Sequence, residues 1–510
     1  MTFVNLMKTI TSLLILFLPF TTPAQPITIG PSGAFPTLSA AANANAINAG
    51  DTVIVLDGTY SNGTQFLENL HGTAQDPIII QSETLHGAVF QGGTEAIHLI
   101  DCSHLVLDGF LVREQTGNGI NIDDGGDYDT PAHHITVRNC RFEDIDASGN
   151  NDFLKLSGLD SFLIQNCSFT KGAAGSGVDM VGCHWGTIED CSFDDAGSSG
   201  IQAKGGSRFV LIRRNVFRDI DQRAINIGGS TGLEFFRPPL PNPIVDAFEA
   251  ADIDVFSNVF TGSWAPIAYV GCVRARVRHN TFFKPENWVL RILQETTVSG
   301  FLPCGDNEFS NNLVYLSGDL TEVNVGPNTD PQSFIFSHNG WYNETGGAWS
   351  PALPVADPAQ LIADPLFVNA AQEDFHLLPE SPFIGAGQSF PVPATDFDNQ
   401  LFLNPPSIGA FEGGAPSAVF PAPASLKVKI FPNPAAHELI VEAGVSNATI
   451  RLLDSRGGVM AAFFGVNSQT ELHCPILTPG LYYLWVEEGV KTVGVPVFLI
   501  GGGEIEIMIR

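Results

Sequence analysis

The sequence predicts an all-β protein: a parallel β-helix over most of its length, then a small C-terminal β-sandwich. Three observations carry this. A short motif recurs as "VRNCRF" (137–142), "IQNCSF" (164–169), "IEDCSF" (188–193), "IRRNVF" (212–217), "VFSNVF" (255–260) and "VRHNTF" (277–282), with looser copies "FSNNLV" (309–314) and "FSHNGW" (336–341). Five of the seven steps are 22–27 residues, and the two longer ones contain insertions. A period in the low twenties, built from short strands and Gly/Asn turns, fits stacked coils, and the Leu and Asn spacing of a leucine-rich repeat is missing. Secondly, each motif is followed by another alternating strand, as in "GINID" (119–123), "FLKLS" (153–157), "GVDMV" (177–181), "GIQAK" (200–204), "AINIG" (224–228), "PIAYV" (266–270) and "VLRIL" (289–293). Thirdly, Gly (52) and Pro (34) are plentiful and Phe (37) far outnumbers Tyr (7), as expected of many turns around an apolar interior.

In chain order, residues 1–24 read as a secretory signal. Lys8 precedes the apolar run 10–20, small residues stand at 22–24, and the mature chain is expected to begin at Gln25. That run is too short to span a bilayer, and no other transmembrane candidate follows. The β-helix domain is expected over 25–413. Its Ala-rich start, within 27–60, reads as a short helix capping the first coil, followed by a strand. The fourth motif position is Cys140, Cys167, Cys191, Asn215, Asn258, Asn280, Asn312 and Asn339. Asn there predicts a ladder of side-chain amides bonding the backbone of neighbouring coils. The cysteines read as small packed thiols rather than bridges, and ligands in a line do not make a tetrahedral metal site. The Pro-rich insertion 231–250, with Phe235, Phe236 and Arg237, is either a wall beside a binding groove or a plain surface loop. A Pro/Ala/Ser linker occupies 414–425, and 426–510 alternates as a small antiparallel sandwich.

A formal net charge of −30 argues against nucleic acid or anionic membrane as partner. Residues 151–300 stand apart, with 14 basic against 16 acidic side chains. Alternation turns the Ile, Val, Leu and Met of the second strands inward and leaves two outward columns. One runs Asn121, Lys155, Asp179, Gln202, Asn226, Ala268, Arg291, and the other Asp123, Ser157, Val181, Lys204, Gly228, Val270, Leu293. Coils stack ~4.8 Å apart, so Lys155 and Lys204 are expected about 10 Å apart with Asp179 near both. Gly200, Gly205, Gly206, Gly228 and Gly229 flank the row and leave backbone open to a ligand.

The terminal module resembles the C-terminal sorting domain of the type IX secretion system of Bacteroidetes, on "FPNPAAHELIVE" (431–442), "IRLLDSRGGVM" (450–460) and "LTPGLYYLWVEEG" (477–489). That resemblance implies the type IX machinery as partner, and secretion or attachment at the cell surface. The body resembles the right-handed parallel β-helix proteins of the pectate-lyase-like superfamily. "GDTVIVLDGTY" (50–60), "GTAQDPIIIQSE" (72–83) and "LVLDGFLV" (105–112) are similar to the first coils of the chondroitinase B and alginate lyase family, and "DPLFVNAAQEDFHLLPESPFIGAG" (364–387) and "IGAFE" (408–412) to closing coils. "AKGGS" (203–207) resembles that family's catalytic-lysine strand, which implies Lys204 as base with an arginine one coil later, here Arg223 or Arg291. The family's calcium-holding acids would precede the lysine, where this chain has Gly197, Ser198 and Ser199.

The chemistry implied is β-elimination of an acidic, uronate-containing polysaccharide. Such a site neutralises a carboxylate, removes the proton α to it and assists a leaving oxygen. A free lysine, with pKa ~10.4, is a poor base at neutral pH. Lys155 and Arg223 nearby would lower it, whereas Asp179 favours the protonated form. Lys155, Asp179, Gln202, Asn226 and Arg291 are the expected substrate contacts, joined by Arg237 from the insertion and by His184. No cofactor is required by the sequence. Ca²⁺ has one candidate place, Asp123, Asp124 and Asp127 in the turn "NIDDGGDYD" (121–129), which reads more readily as a solvated acidic turn. Trp185, Trp264, Trp288 and Tyr269 are candidates for stacking on sugar rings. Two alternatives stay open: a glycoside hydrolase using paired Asp from Asp123, Asp152 and Asp179, and a non-catalytic glycan-binding or adhesive solenoid.

Overall fold

The computed structural model describes residues 26–413 and 428–509, apart from short stretches within each. The signal segment and the linker lie outside the described residues. Three parallel sheets, of fourteen, ten and twelve strands, run the length of the first region. One coil shows the plan: His184–Glu189 in the fourteen-stranded sheet, Ser192–Asp194 in the twelve-stranded sheet, Ser199–Lys204 in the ten-stranded sheet, then Ser207–Arg213 starting the next.

The recurring hexapeptide is explained position by position. Its third residue is Asn139, Asn166, Asp190, Arg214, Ser257, His279, Asn311 and His338, and every one has a positive φ between 51° and 57°. A left-handed residue turns the chain sharply between two sheets, and Asn, Asp and His are the side chains that tolerate it best. The fourth residue forms the expected ladder. Asn258 Nδ2 donates to Asn280 Oδ1 at 3.0 Å, and Asn258 Oδ1 accepts from the backbone N–H and the side-chain amide of Asn215. Asn280, Asn312 and Asn339 repeat the pattern. The last rung, Asn339, gives its backbone and side-chain N–H groups to the carboxylate of Asp357. The sixth residue is a stacked ring: Phe142, Phe169, Phe193, Phe217, Phe260 and Phe282 lie nearly parallel with centroids 4.7–4.9 Å apart. All eight cysteines are free and buried, as packed thiols.

The helix Leu38–Asn43 covers the first coil, burying Leu38 and Ala41. Thr37 caps it, its hydroxyl accepting from the Ala40 N–H at 3.1 Å. At the far end the antiparallel pair Phe367–Asn369 and Asp374–Leu377 brings Phe375 and Leu377 over the last coils, with Phe383, Ile408 and Phe411 beside them.

The second region is a sandwich of two four-stranded sheets around Leu439, Val441, Ile450, Leu484, Val497 and Ile507. Its strands were expected to be antiparallel throughout. One pairing is parallel, because Gly503–Ile509 inserts between Glu438–Glu442, alongside which it runs, and Glu471–Leu477, against which it is antiparallel.

Candidate functional site

The ten-stranded sheet carries the polar stripe on its outer face. Parallel in-register pairing aligns His98, Asn121, Lys155, Asp179, Gln202, Asn226, Ala268, Arg291 and Asn324 in one column. A second column aligns Asp123, Ser157, Val181 and Lys204. The inward residues between them, such as Leu156, Met180, Ala203 and Ile227, are buried, which fixes the direction of the polar ones.

Asp179 is the centre of the stripe. It is 1% exposed and lies between two ammonium groups on neighbouring coils: its Oδ2 accepts from Lys155, and its Oδ1, which has no hydrogen-bond partner, is ion-paired with Lys204 at 3.2 Å. Lys155 also reaches Asp152 Oδ2 at 3.3 Å. Burial works against the charge on Lys155, but Asp179 and Asp152 outweigh it and raise its pKa. Burial, and then the Asp179 charge, push Asp152 up to about 7. Lys204 therefore completes a compact set of two cations and two carboxyls, one of which takes up a proton near neutrality. Gly229 keeps the space beside it: a Cβ there would lie 2.7 Å from Gln202 Nε2 and 3.3 Å from Lys204 Cδ.

A second cationic group lies along the same face. Arg223 Nη1 donates to Asn226 Oδ1 at 3.1 Å, Nη2 pairs with Glu295 at 2.9 Å, and its Nε is buried without a partner. Arg291 lies over the Trp288 ring, 4.4 Å from its centroid, and donates to Asn324 at 3.3 Å. Burial and the neighbouring Arg223 charge lower its pKa. Trp264, 44% exposed, meets Trp288 edge to face at 6.0 Å and continues this aromatic shelf. Tyr269, in contrast, points into the solenoid and is fully buried, its hydroxyl bonded to the Glu308 carbonyl.

His184 and Arg237 belong to a different wall. Both join Asp160 on the fourteen-stranded sheet: Arg237 Nη2 reaches Asp160 Oδ2 at 2.7 Å, and its Nη1 lies 3.1 Å from His184 Nδ1. Burial opposes ionisation of Asp160, yet hydrogen bonds from Arg237 and His184 outweigh it and lower its pKa. Arg237 thus anchors the insertion. The insertion borders the Lys204 end of the stripe, where the Arg237 N–H donates to the Gly205 carbonyl and the Glu249 carboxylate accepts from Gly205 and Thr231.

Asp123, Asp124 and Asp127 do not converge. Asp123 Oδ2 binds His98 at 2.6 Å, Asp124 is buried and accepts from the Gly126 N–H, and Asp127 accepts from the Asp129 N–H. Each carboxylate closes a local contact of the turn, so among the described residues they form no cluster able to share one ion.

His98 and Glu249 are additions to the site. Burial works against the His98 charge, but hydrogen bonds to Asp123 and Glu95 outweigh it and bring its pKa to about 9, so the stripe gains another cation. The signal for it is "IHLI" (97–100), which alternates one coil before "GINID". No pattern in the sequence marks Glu249, whose place depends on the path of the insertion.

Residues 78–236 match the family described as right handed beta helix region, and residues 429–495 match the secretion system C-terminal sorting domain. The chain is a right-handed parallel β-helix protein with a secretion sorting domain. This β-helix shares its fold with pectate lyase Pel9A, at 15% identity and a TM-score of 0.50 over 74% of this chain and 90% of that one. An alginate lyase from Paenibacillus covers 62% of this chain and 98% of its own, at 14% identity and a TM-score of 0.40. An α-1,3-glucanase from Streptomyces thermodiastaticus covers 67% and 68%, at 14% identity and 0.37. No curated protein matches the sequence. The sorting domain marks the β-helix protein as secreted or attached at the cell surface, and no helix among the described residues is long and apolar enough to cross a membrane.

Proposed function

We propose that this protein is a polysaccharide lyase that cleaves a uronate-containing glycan by β-elimination along the outer face of the ten-stranded sheet. One observation carries the reading: Lys155, Asp179 and Lys204, from three successive coils, form a single ion-paired cluster in line with Gln202, Asn226, Arg223 and Arg291. A row of ammonium and guanidinium groups on one face of a chain of net charge −30 suits an acidic polymer.

Lys204 Nζ is the base. It takes the proton α to the uronate carboxylate, the electron pair forms the C4–C5 double bond, and the C4–O bond breaks, the leaving sugar oxygen taking up a proton from water. Asp152, raised to about 7, is the carboxyl of this cluster that takes up and releases a proton near neutrality. Arg223, with its unpartnered Nε, and Arg291 hold the carboxylate and lower the cost of the negative charge that builds on it. Trp288 and Trp264 offer stacking faces to neighbouring sugars. Lys155 is locked between two carboxyls and acts as a positioning residue for Asp179, hence for Lys204.

The glycoside hydrolase reading draws support from Asp152 and Asp179, a carboxyl that takes up a proton near neutrality beside one paired with two lysines. Both are nearly inaccessible beneath two ammonium groups, at 3% and 1% exposure, which favours the lyase. Incubation with alginate, pectate, glucuronan and glycosaminoglycans decides between them. New absorbance near ~235 nm, from a double bond conjugated to the carboxylate, is the expected result. Reducing ends without that absorbance would assign a hydrolase, and neither signal on any of them, with binding retained, a glycan-binding solenoid.

A further inference from the structure

A cluster of imidazoles stands on the outer face of the fourteen-stranded sheet, a different wall from the Lys204 stripe. His133 is in register with Ser103 one coil before and Asp160 one coil after. His134 follows it at φ 55°, and His104 follows Ser103 at φ 49°. In a regular strand successive side chains leave on opposite faces. The left-handed backbone at 134 breaks that alternation, and His133 Nδ1 and His134 Nδ1 come within 2.9 Å of each other. The His104 ring stacks on His134 at 4.3 Å, while His133 stands edge-on to both. One nitrogen of each ring lies within 4.8 Å of the other two, and His134 Nε2 is buried without a hydrogen-bond partner.

We infer that His104, His133 and His134 form a three-imidazole site for a first-row divalent cation of the Zn²⁺ class, with water completing the coordination. Neutral imidazole suits Zn²⁺, Ni²⁺ and Cu²⁺, whereas Ca²⁺ takes oxygen ligands. Burial lowers all three imidazoles, His134 to about 3, so the rings are uncharged donors at neutral pH. Zn–N bonds of ~2.0–2.1 Å in a tetrahedron set neighbouring nitrogens roughly 3.3 Å apart. The closest pair here opens slightly, and no pair draws in by more than about 1.5 Å, a change within reach of ring rotation about the side-chain bonds. Two further groups act on His133 through their charge: His71, whose Nδ1 lies 3.1 Å from Ser103 Oγ, and Asp160, next to His133 in the sheet and held by Arg237. The site uses none of the residues assigned to β-elimination.

The test uses the full chain without its signal segment, stripped with chelator and titrated with Zn²⁺ by calorimetry and with Co²⁺ by visible absorption. Glu471, His473 and Glu506 form the other convergent donor set among the described residues, so His473→Ala serves as a control. The expected result is one Zn²⁺ equivalent that survives His473→Ala and is weakened more than about tenfold by His104→Ala and by His133→Ala. Visible bands of nitrogen-ligated Co²⁺ in the unmodified chain give the same answer without depending on how a variant folds. Absence of Zn²⁺ binding and of those bands, or an affinity in His104→Ala and His133→Ala equal to that of the unmodified chain, overturns the assignment. Uronate cleavage by His104→Ala, expected to equal that of the unmodified chain, keeps this result separate from the fate of the lyase reading.

Discussion

Two polar columns run along the same solenoid, one inside and one outside, and they obey opposite rules. The inner column repeats one residue: Asn215, Asn258, Asn280, Asn312 and Asn339 each give to the coil beyond and receive from the coil before. Nothing is left over. The outer column changes residue at nearly every coil, from His98 through Lys155, Asp179, Gln202 and Asn226 to Arg291, and its valences are only partly met. Repetition satisfies the chain's own backbone. Variation at a fixed register instead composes a surface, with each coil supplying one group of it.

The largest effect that sharpens this contrast comes from Lys204→Ala. Uronate-lyase turnover should fall by roughly 10²–10⁴, the range for a lost general base, while urea unfolding moves little. Full activity in that variant removes the mechanism and leaves the fold untouched. Asn258→Ala should do the reverse. It strips partners from the buried Asn215 amides and Ile212 carbonyl and from the part-buried Phe256 carbonyl, and should cost about 3 kcal/mol in denaturant unfolding with the groove chemistry intact. An unchanged midpoint would erase the distinction between the columns. Arg291→Ala is expected to raise KM for the acidic polymer roughly tenfold to a hundredfold, as for a lost charge-assisted contact, with a smaller change in kcat.

The smallest effect is a pH dependence. The folded-state pKa of His98 is raised to about 9 from 6.5, so its pairing with Glu95 and Asp123 stabilises fully below pH 6.5. That contribution declines as pH rises through about 9. The stability gap between the unmodified chain and His98→Asn should narrow over this window. Asp152, raised to about 7, opposes folding once ionised, so Asp152→Asn should gain stability relative to the unmodified chain at pH 8 but not at pH 4. Unfolding curves at several pH values test both, and a gap independent of pH contradicts the assignments.

Much of the architecture was readable because a parallel coil stack converts a sequence period directly into a spatial column. Lys155, Asp179 and Lys204 could be brought together from spacing alone, since pairing without slippage leaves no other register. The ladder was readable for the same reason. Arg237 and His184 were not, because the insertion has no period and its path is set by Asp160 and the backbone of Gly205, partners far away in sequence. The turn 121–129 shows a related limit. Its carboxylates are close in sequence, yet Asp123 turns to His98 and the Gly125 N–H, Asp124 to the Gly126 N–H through one oxygen, and Asp127 to the Asp129 N–H, a division that spacing does not reveal. The parallel strand Gly503–Ile509 was missed because alternation reports which faces are apolar and says nothing of strand direction.

The carboxylate of Asp357 gives the solenoid a sense of direction. Every amide in the column is oriented alike, so the small dipoles add, and the donor end of the series meets an anion much as the first turn of a helix welcomes one. A terminal seal of this kind is indifferent to the number of rungs behind it. Whole coils can be gained or lost in the middle, lengthening or shortening the binding face, while the two ends keep the fittings they already have.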